Sequence, residues 1–180
     1  SLYTKTRDDA ADTWKMIHAW VEEFVKNKIE GWDQIFAIPD NEKVQNGIMG
    51  FLSWYKSHKI DFTFSEKLVY SKKNQYVGTS DLGIVVDWIR LLADVKSSKA
   101  IYAEAILQEI AYLEAYEEEN GIIFDWVITL RFDKETGSFE TFTLLKTDPL
   151  YKAAHQAFVW AIKKKKTLEE VESLLKNKND

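Results

Sequence analysis

Two apolar, β-branched segments that lie only a few residues apart constrain the fold of this chain more than any other feature. Residues 76–86 and 90–95 each have the composition of a strand, and the connection Asp87-Trp88-Ile89 is short enough for a hairpin. Each segment also carries an acidic residue, Asp81 in the first and Asp94 in the second. Pairing of the two strands can therefore bring two carboxylates side by side.

The second segment continues as Asp94-Val95-Lys96, which places an acid and a base on one face of a strand because side chains alternate with period two. Two neighbouring carboxylates repel each other unless a cation lies between them, and hard oxygen ligands suit Mg²⁺ or Mn²⁺. A lysine beside such a metal can orient or help to deprotonate an attacking water. These residues suit phosphodiester hydrolysis, whereas the simpler alternative is a solvated strand face with a weak ion pair.

The composition predicts a single domain over residues 1–180. A chain of 180 residues with 46% hydrophobic and 14% aromatic residues can bury a substantial core. No segment approaches the ~20 apolar residues of a membrane span, and no signal peptide is recognisable, so we expect no membrane association and a cytoplasmic location. The chain has no cysteine, which excludes disulfides, thiolate zinc sites and cysteine-ligated iron–sulfur clusters.

The periodicity of the remaining sequence predicts an α/β fold. Amphipathic helices are expected over 8–28 and 42–58, a loop over 27–40, a strand over 61–70, a helix over 100–119 that Asn120-Gly121 ends, and strands over 122–132 and 138–145. Pro149 then opens a helix through Lys165, and Thr167-Leu168-Glu169-Glu170 has the capping-box form that starts a last helix. This order favours a central mixed β-sheet flanked by helices.

Three short motifs in this order carry a resemblance to a known family. They are Gly78-Thr79-Ser80-Asp81, then Asp94-Val95-Lys96-Ser97-Ser98-Lys99, then Gln108 and Tyr112 on the following helix. They resemble the PD-(D/E)XK nuclease superfamily, and within it the RecB-like exonuclease branch, where Gly-x-x-Asp, Asp-x-Lys-(Thr/Ser)-(Ser/Thr)-Lys and Gln-x-x-x-Tyr follow one another. The match covers roughly residues 64–145, and residues 12–24 more loosely. It implies a restriction-endonuclease-like core.

The resemblance also assigns roles at the centre of the site. Asp81 and Asp94 are implied to bind the metal, with the main-chain carbonyl of Val95 as a further ligand, and Lys96 is implied to be the catalytic lysine. Gln108 and Tyr112 lie four residues apart on one helix face. In the family this pair faces the active site and positions the lysine or a phosphate; the alternative is a packed Tyr112 beside an exposed Gln108.

The first helix supplies two further candidates. The family pattern there is Gly-Thr-x-x-His-x-x-x-Glu, and this chain keeps His18 and Glu22 but lacks a clean Gly-Thr. We expect His18 to bind the metal rather than to be a core histidine, and its presence would favour Mn²⁺ over Mg²⁺. Glu22 either orients His18 as a supporting carboxylate or is simply solvated.

The remaining candidates are the glutamate of the first strand and the residues after the catalytic lysine. In similar relatives a glutamate at the position of Glu66 lies near the metal pocket, where it contacts a water or a second ion; the alternative is an edge-strand surface charge. Ser97, Ser98 and Lys99 could donate hydrogen bonds to phosphate oxygens, or could only form the turn before the helix.

These motifs together imply a metal-dependent deoxyribonuclease that uses Mg²⁺ or Mn²⁺. Among deoxyribonucleases, an exonuclease is the main expectation. The alternatives are an endonuclease selective for DNA sequence or structure, and a non-catalytic DNA-binding or assembly module of the same fold. A net charge of −5 argues against a general DNA coat protein but not against a nuclease, since a carboxylate cluster is itself acidic. The sequence does not determine the polarity of DNA digestion, the oligomeric state or the biological pathway. A chain of this kind would suit phage-type recombination.

Overall fold

The computed structural model describes residues 2–34 and 36–179, with side chains from 11 to 34 and from 36 to 178. Ile35 of the predicted loop and residues 1 and 180 of the predicted domain lie outside the described residues. The elements are α1 Leu2–Ile29, α2 Glu42–Ser57, β1 Ile60–Ser71, β2 Tyr76–Val86, β3 Ile89–Ser97, α3 Ala103–Asn120, β4 Trp126–Phe132, β5 Phe139–Leu145 and α4 Pro149–Asn179. The fold is the expected α/β arrangement, with helices flanking one open sheet.

The five strands form a mixed sheet in the order β1-β2-β3-β4-β5. β3 and β4 are parallel, and every other neighbouring pair is antiparallel. Asp87 and Trp88 form the two-residue connection between β2 and β3, with φ values of 49° and 75°. Two positive φ angles are typical of the tight hairpin turn whose twist matches that of the strands, so the predicted hairpin is confirmed.

A hydrophobic cluster covers each face of the sheet. On one face, Leu91, Ala93 and Val95 of β3 pack with the apolar sides of α1 and α2. On the other face, Leu92 packs with the apolar sides of α3 and α4. Alternation along β3 therefore points residues 91, 93 and 95 towards α1, and the even-numbered residues towards α3.

The structure corrects the predicted ends of four elements, α1, α3, β4 and α4. α1 begins at Leu2 rather than at residue 8. α3 begins at Ala103 rather than Ala100, and β4 begins at Trp126 rather than at residue 122. The stop at Gly121 is confirmed, because this residue adopts the left-handed φ of 65° that ends the helix. Thr167 starts no new helix: its hydroxyl donates to the carbonyl of Lys163, one turn back inside the continuous α4.

No helix among the described residues combines the length and the apolar character that a membrane crossing requires.

Candidate functional site

The centre of the candidate site is the point where β2 and β3 separate. Their pairing ends at Leu82 and Ala93, so Asp81 and Asp94 are the first residues beyond the paired part. The Asp81 carboxylate accepts a hydrogen bond of 2.8 Å from the backbone N–H of Val95. Asp81 thus occupies the gap between the strands and satisfies a backbone donor that strand pairing leaves free.

Asp94 is buried beneath α3, and its side chain is 4% exposed. Burial raises the pKa of the Asp94 carboxyl, and the nearby charge of Asp81 raises it further. Lys96, two residues along the strand, forms an ion pair with Asp94 over a distance of 3.0 Å between Nζ and Oδ2. Burial alone would lower the pKa of Lys96, but the charge and hydrogen bond of Asp94, with the charges of Asp81 and Glu109, together outweigh burial and raise the pKa. Lys96 is therefore held as a cation.

A chain of hydrogen bonds runs from Lys96 to α3. Lys96 Nζ donates to Gln108 Oε1 over 2.8 Å, and Gln108 Nε2 donates to the Tyr112 hydroxyl over 2.8 Å. The Tyr112 ring lies against the backbone of Gly78, where an added Cβ would be 2.2 Å from Cε1 of the ring. The three motifs predicted from sequence thus meet in one contact network, and Gly78 is the residue that gives the tyrosine room.

Sequence reasoning missed Glu109, the neighbour of Gln108. Glu109 is 1% exposed, and its carboxylate accepts a hydrogen bond from the Thr129 hydroxyl of β4. Burial raises the pKa of Glu109 to about 8, and Asp94 is the largest of the nearby negative charges that add to this. A glutamate that follows a motif residue on a helix carries no sequence pattern of its own, so only the packing of α3 on β4 reveals it.

A second group of possible ligands lies on the α1 side of the sheet. One ligand atom from each of His18, Glu22 and Glu66 lies within 4.8 Å of the other two. The same cleft is lined by Asp81 and Val95. His18 therefore lines a cleft together with Asp81 and is not a member of the hydrophobic core on that side of the sheet.

Glu22 has a competing partner on its own helix. It forms an ion pair with Lys26, and this contact is the main reason that the pKa of Glu22 lies below its usual range. Its other carboxylate oxygen, Oε2, lies 3.9 Å from His18 Nδ1. The Glu22 carboxylate is thus one of the grouped atoms that could bind a metal, as well as a neighbour of His18.

The sheet divides the predicted site residues into two sets. Asp94, Lys96, Gln108 and Tyr112 lie on the α3 side, whereas His18, Glu22, Glu66 and Val95 lie on the α1 side. Asp81 belongs to both, since it lines the α1 cleft and raises the pKa of Asp94 by its charge. Asp94 is not among the residues that line the cleft with His18.

The residues after Lys96 form a braced turn. The Ser98 hydroxyl donates to the Ala100 carbonyl over 2.7 Å, and the Ser98 carbonyl accepts a hydrogen bond from Arg131. Lys99 is paired with Glu135 over 2.5 Å, while Ser97 is half-buried. The hydroxyl group of Ser98 and the ammonium group of Lys99 thus both bind partners within the protein. This agrees with the alternative in which these residues only form the turn before the helix.

The donor set fits a divalent cation that accepts both nitrogen and oxygen ligands. An imidazole and two glutamates gather within one cleft beside Asp81. On the other side of the sheet, burial and the charge of Asp81 raise the pKa of Asp94. Comparison of the sequence with protein-family models gives no match, and comparison with curated proteins gives none either. The chemistry of these residues therefore carries the functional interpretation.

Proposed function

We propose that this protein is a metal-dependent deoxyribonuclease whose active site lies where β2 and β3 separate. The observation that supports this most directly is the position of Lys96. Its ammonium group lies 3.0 Å from the buried Asp94 carboxylate and 2.8 Å from Gln108, at the edge of a gap that Asp81 lines. A surface ion pair would need neither the buried acid nor the hydrogen-bonded chain to Tyr112.

In the proposed reaction each residue has a definite task. Asp81, together with His18, Glu22 and Glu66 of the same α1-side cleft, would hold Mg²⁺ or Mn²⁺. Asp94, on the α3 side, would hold Lys96 through their ion pair. A cation bound there supplies a water of lowered pKa and neutralises charge that develops on the phosphate. Lys96 orients the attacking water, and Gln108 and Tyr112 hold Lys96 in place. The scissile phosphodiester is the substrate.

Activity is tested on end-labelled linear DNA, single- and double-stranded, with Mg²⁺, with Mn²⁺ and with chelator. We expect cleavage with either metal and none with chelator. Lys96→Ala and Asp94→Ala should each lower cleavage at least about a hundredfold, because each removes a group needed most in the transition state. Near-wild-type cleavage by either variant would discard the proposed site.

The matched control is Lys152→Ala, which removes an exposed lysine of α4 remote from these contacts. It should cleave DNA as the wild-type protein does, and circular dichroism should show that all three variants are folded. A covalently closed circular substrate then separates the two modes of cleavage. An exonuclease leaves the circle intact, whereas an endonuclease opens it.

A further inference from the structure

The C-terminal half of α4 carries an apolar stripe that no described element covers. From Lys163 to Lys178 every residue of the helix is exposed. Large apolar side chains nevertheless recur along it: Trp160 is 63% exposed, Leu168 52%, Val171 46%, Leu174 57% and Leu175 55%. A solvated helix has no need of such residues, and a stripe of them on one side is typical of a helix that binds a partner.

The stripe has the spacing of a coiled-coil seam. Its positions are 160, 164, 167–168, 171 and 174–175, which repeat about every 3.5 residues. Position 164 is a lysine, but its ammonium group lies 5.2 Å from the centre of the Trp160 ring. The aliphatic stem of Lys164 therefore runs along the stripe and continues its apolar surface.

The charges beside the stripe identify the partner. Lys163 and Glu170 lie seven residues apart on one flank, and Lys165 and Glu172 lie seven apart on the other. Two copies packed in parallel and in register would place Lys165 beside Lys163 and Glu172 beside Glu170. Two antiparallel copies instead place Lys163 near Glu170 of the second copy, and Lys165 near Glu172 of the second copy. The flanks are thus complementary to themselves only when the helices run in opposite directions.

We propose that this face of α4 is the interface of an antiparallel homodimer, with its two-fold axis between Thr167 and Leu168. Burial of the stripe supplies most of the free energy of association, and the flanking charges set the direction. The proposed interface contains no residue of the proposed nuclease site, so a test of one proposal does not decide the other.

Sedimentation equilibrium tests the self-association. We expect a monomer–dimer equilibrium in the wild-type protein, and a dissociation constant raised at least about tenfold in Lys163→Glu/Lys165→Glu and in Glu170→Lys/Glu172→Lys. Each double variant has like charges on both flanks, whereas a one-to-one mixture of the two restores opposite charges and should restore the dimer. A monomer at all concentrations up to about 1 mM, or a mixture no tighter than its components, would overturn the proposal.

The matched control is Lys56→Glu/Lys152→Glu, which makes the same change in net charge at exposed positions of α2 and of the N-terminal half of α4, away from the stripe and its flanks. This variant should dimerise as the wild-type protein does. Equal weakening in the control would assign the effect to net charge and count against the interface.

Cysteine cross-linking tests the direction, because the natural chain contains no cysteine. In the antiparallel dimer Lys164 lies opposite Val171 of the second copy. Lys164→Cys mixed with Val171→Cys should therefore form a disulfide-linked heterodimer under mild oxidation, and neither variant should cross-link with itself. Self-linked homodimers of each variant would show a parallel pair and contradict the proposal.

Discussion

Glu66 has the most unusual backbone of the candidate site residues. Its φ is +46°, although it lies inside β1 and is not a glycine. By the register of the neighbouring pairs it lies opposite Asp81, and its carboxylate joins the group with His18 and Glu22. A left-handed conformation of a non-glycine residue costs free energy, so the surrounding fold must hold Glu66 in it. Such strain is often found at functional sites.

Glu66→Gly should therefore stabilise the metal-free protein relative to Glu66→Gln. Both variants lose the carboxylate, but only glycine adopts the positive φ without a steric penalty. We expect a difference of about 1 kcal/mol in the free energy of unfolding, measured by urea denaturation in chelator. Calorimetric titration should show weakened Mn²⁺ binding in both variants. Equal stability of the two would mean that the backbone at Glu66 is not strained, and undiminished binding would remove Glu66 from the ligands.

At the scale of elements, the turn between β4 and β5 holds together the loop that follows Lys96. Asp133 Oδ1 accepts hydrogen bonds from the N–H groups of Glu135 and Thr136, and Oδ2 is paired with Arg131 over 3.2 Å. Arg131 in turn donates to the Ser98 carbonyl. The hydrogen bond from the Thr136 backbone contributes most to lowering the pKa of Asp133, to about 2. This turn therefore depends on an ionised aspartate.

Asp133→Asn should lower stability in a way that depends on pH. Because the folded-state pKa lies below the unfolded value of about 3.9, the ionised form stabilises the fold fully above about pH 4. That contribution is lost as the pH falls from about 4 towards 2. Urea unfolding should thus find the wild-type protein about 1–2 kcal/mol more stable than the variant at pH 6, with the gap narrowing progressively as the pH falls from about 4 to about 2. A gap that stays constant over this range would contradict the assignment.

At the scale of the whole molecule, the sheet separates two hydrophobic cores, and the candidate site receives residues from both sides. α1 contributes His18 and Glu22 from one core, and α3 contributes Gln108 and Tyr112 from the other. A cation bound by residues from α1, β1 and β2 would connect elements that are distant in sequence. Since the unfolded chain holds no such site, metal binding should stabilise the fold.

Mn²⁺ at about a hundred times its dissociation constant should add about 2.7 kcal/mol to the free energy of unfolding, which corresponds to roughly 5–10 °C in the unfolding temperature. Glu22→Gln should reduce this increment, which differential scanning calorimetry with and without chelator would measure. Glu23→Gln is the matched control, because Glu23 is the exposed neighbour on α1. An equal increment in the two variants would exclude Glu22 from the metal site.

Much of the local structure follows from sequence because its causes are local. Period-two alternation identifies β1 as a strand, and apolar, β-branched composition identifies β2 and β3. A glycine that tolerates positive φ ends α3 at Gly121. The motif spacing likewise places Asp94 and Lys96 on one face of a strand, and Gln108 and Tyr112 on one face of a helix. The structure brings these four residues into one network.

The tertiary structure decided the features that depend on contacts between distant segments. Glu109 is buried because α3 packs on β4 at Thr129. Glu22 and Glu66 come together because α1 packs beside β1. α4 continues through Thr167 in spite of a local capping pattern. The separation of His18 from Asp94 by the sheet has the same origin. Sequence periodicity indicates which residues share a face of one element, but the free energy of packing between distant segments determines which faces contact each other.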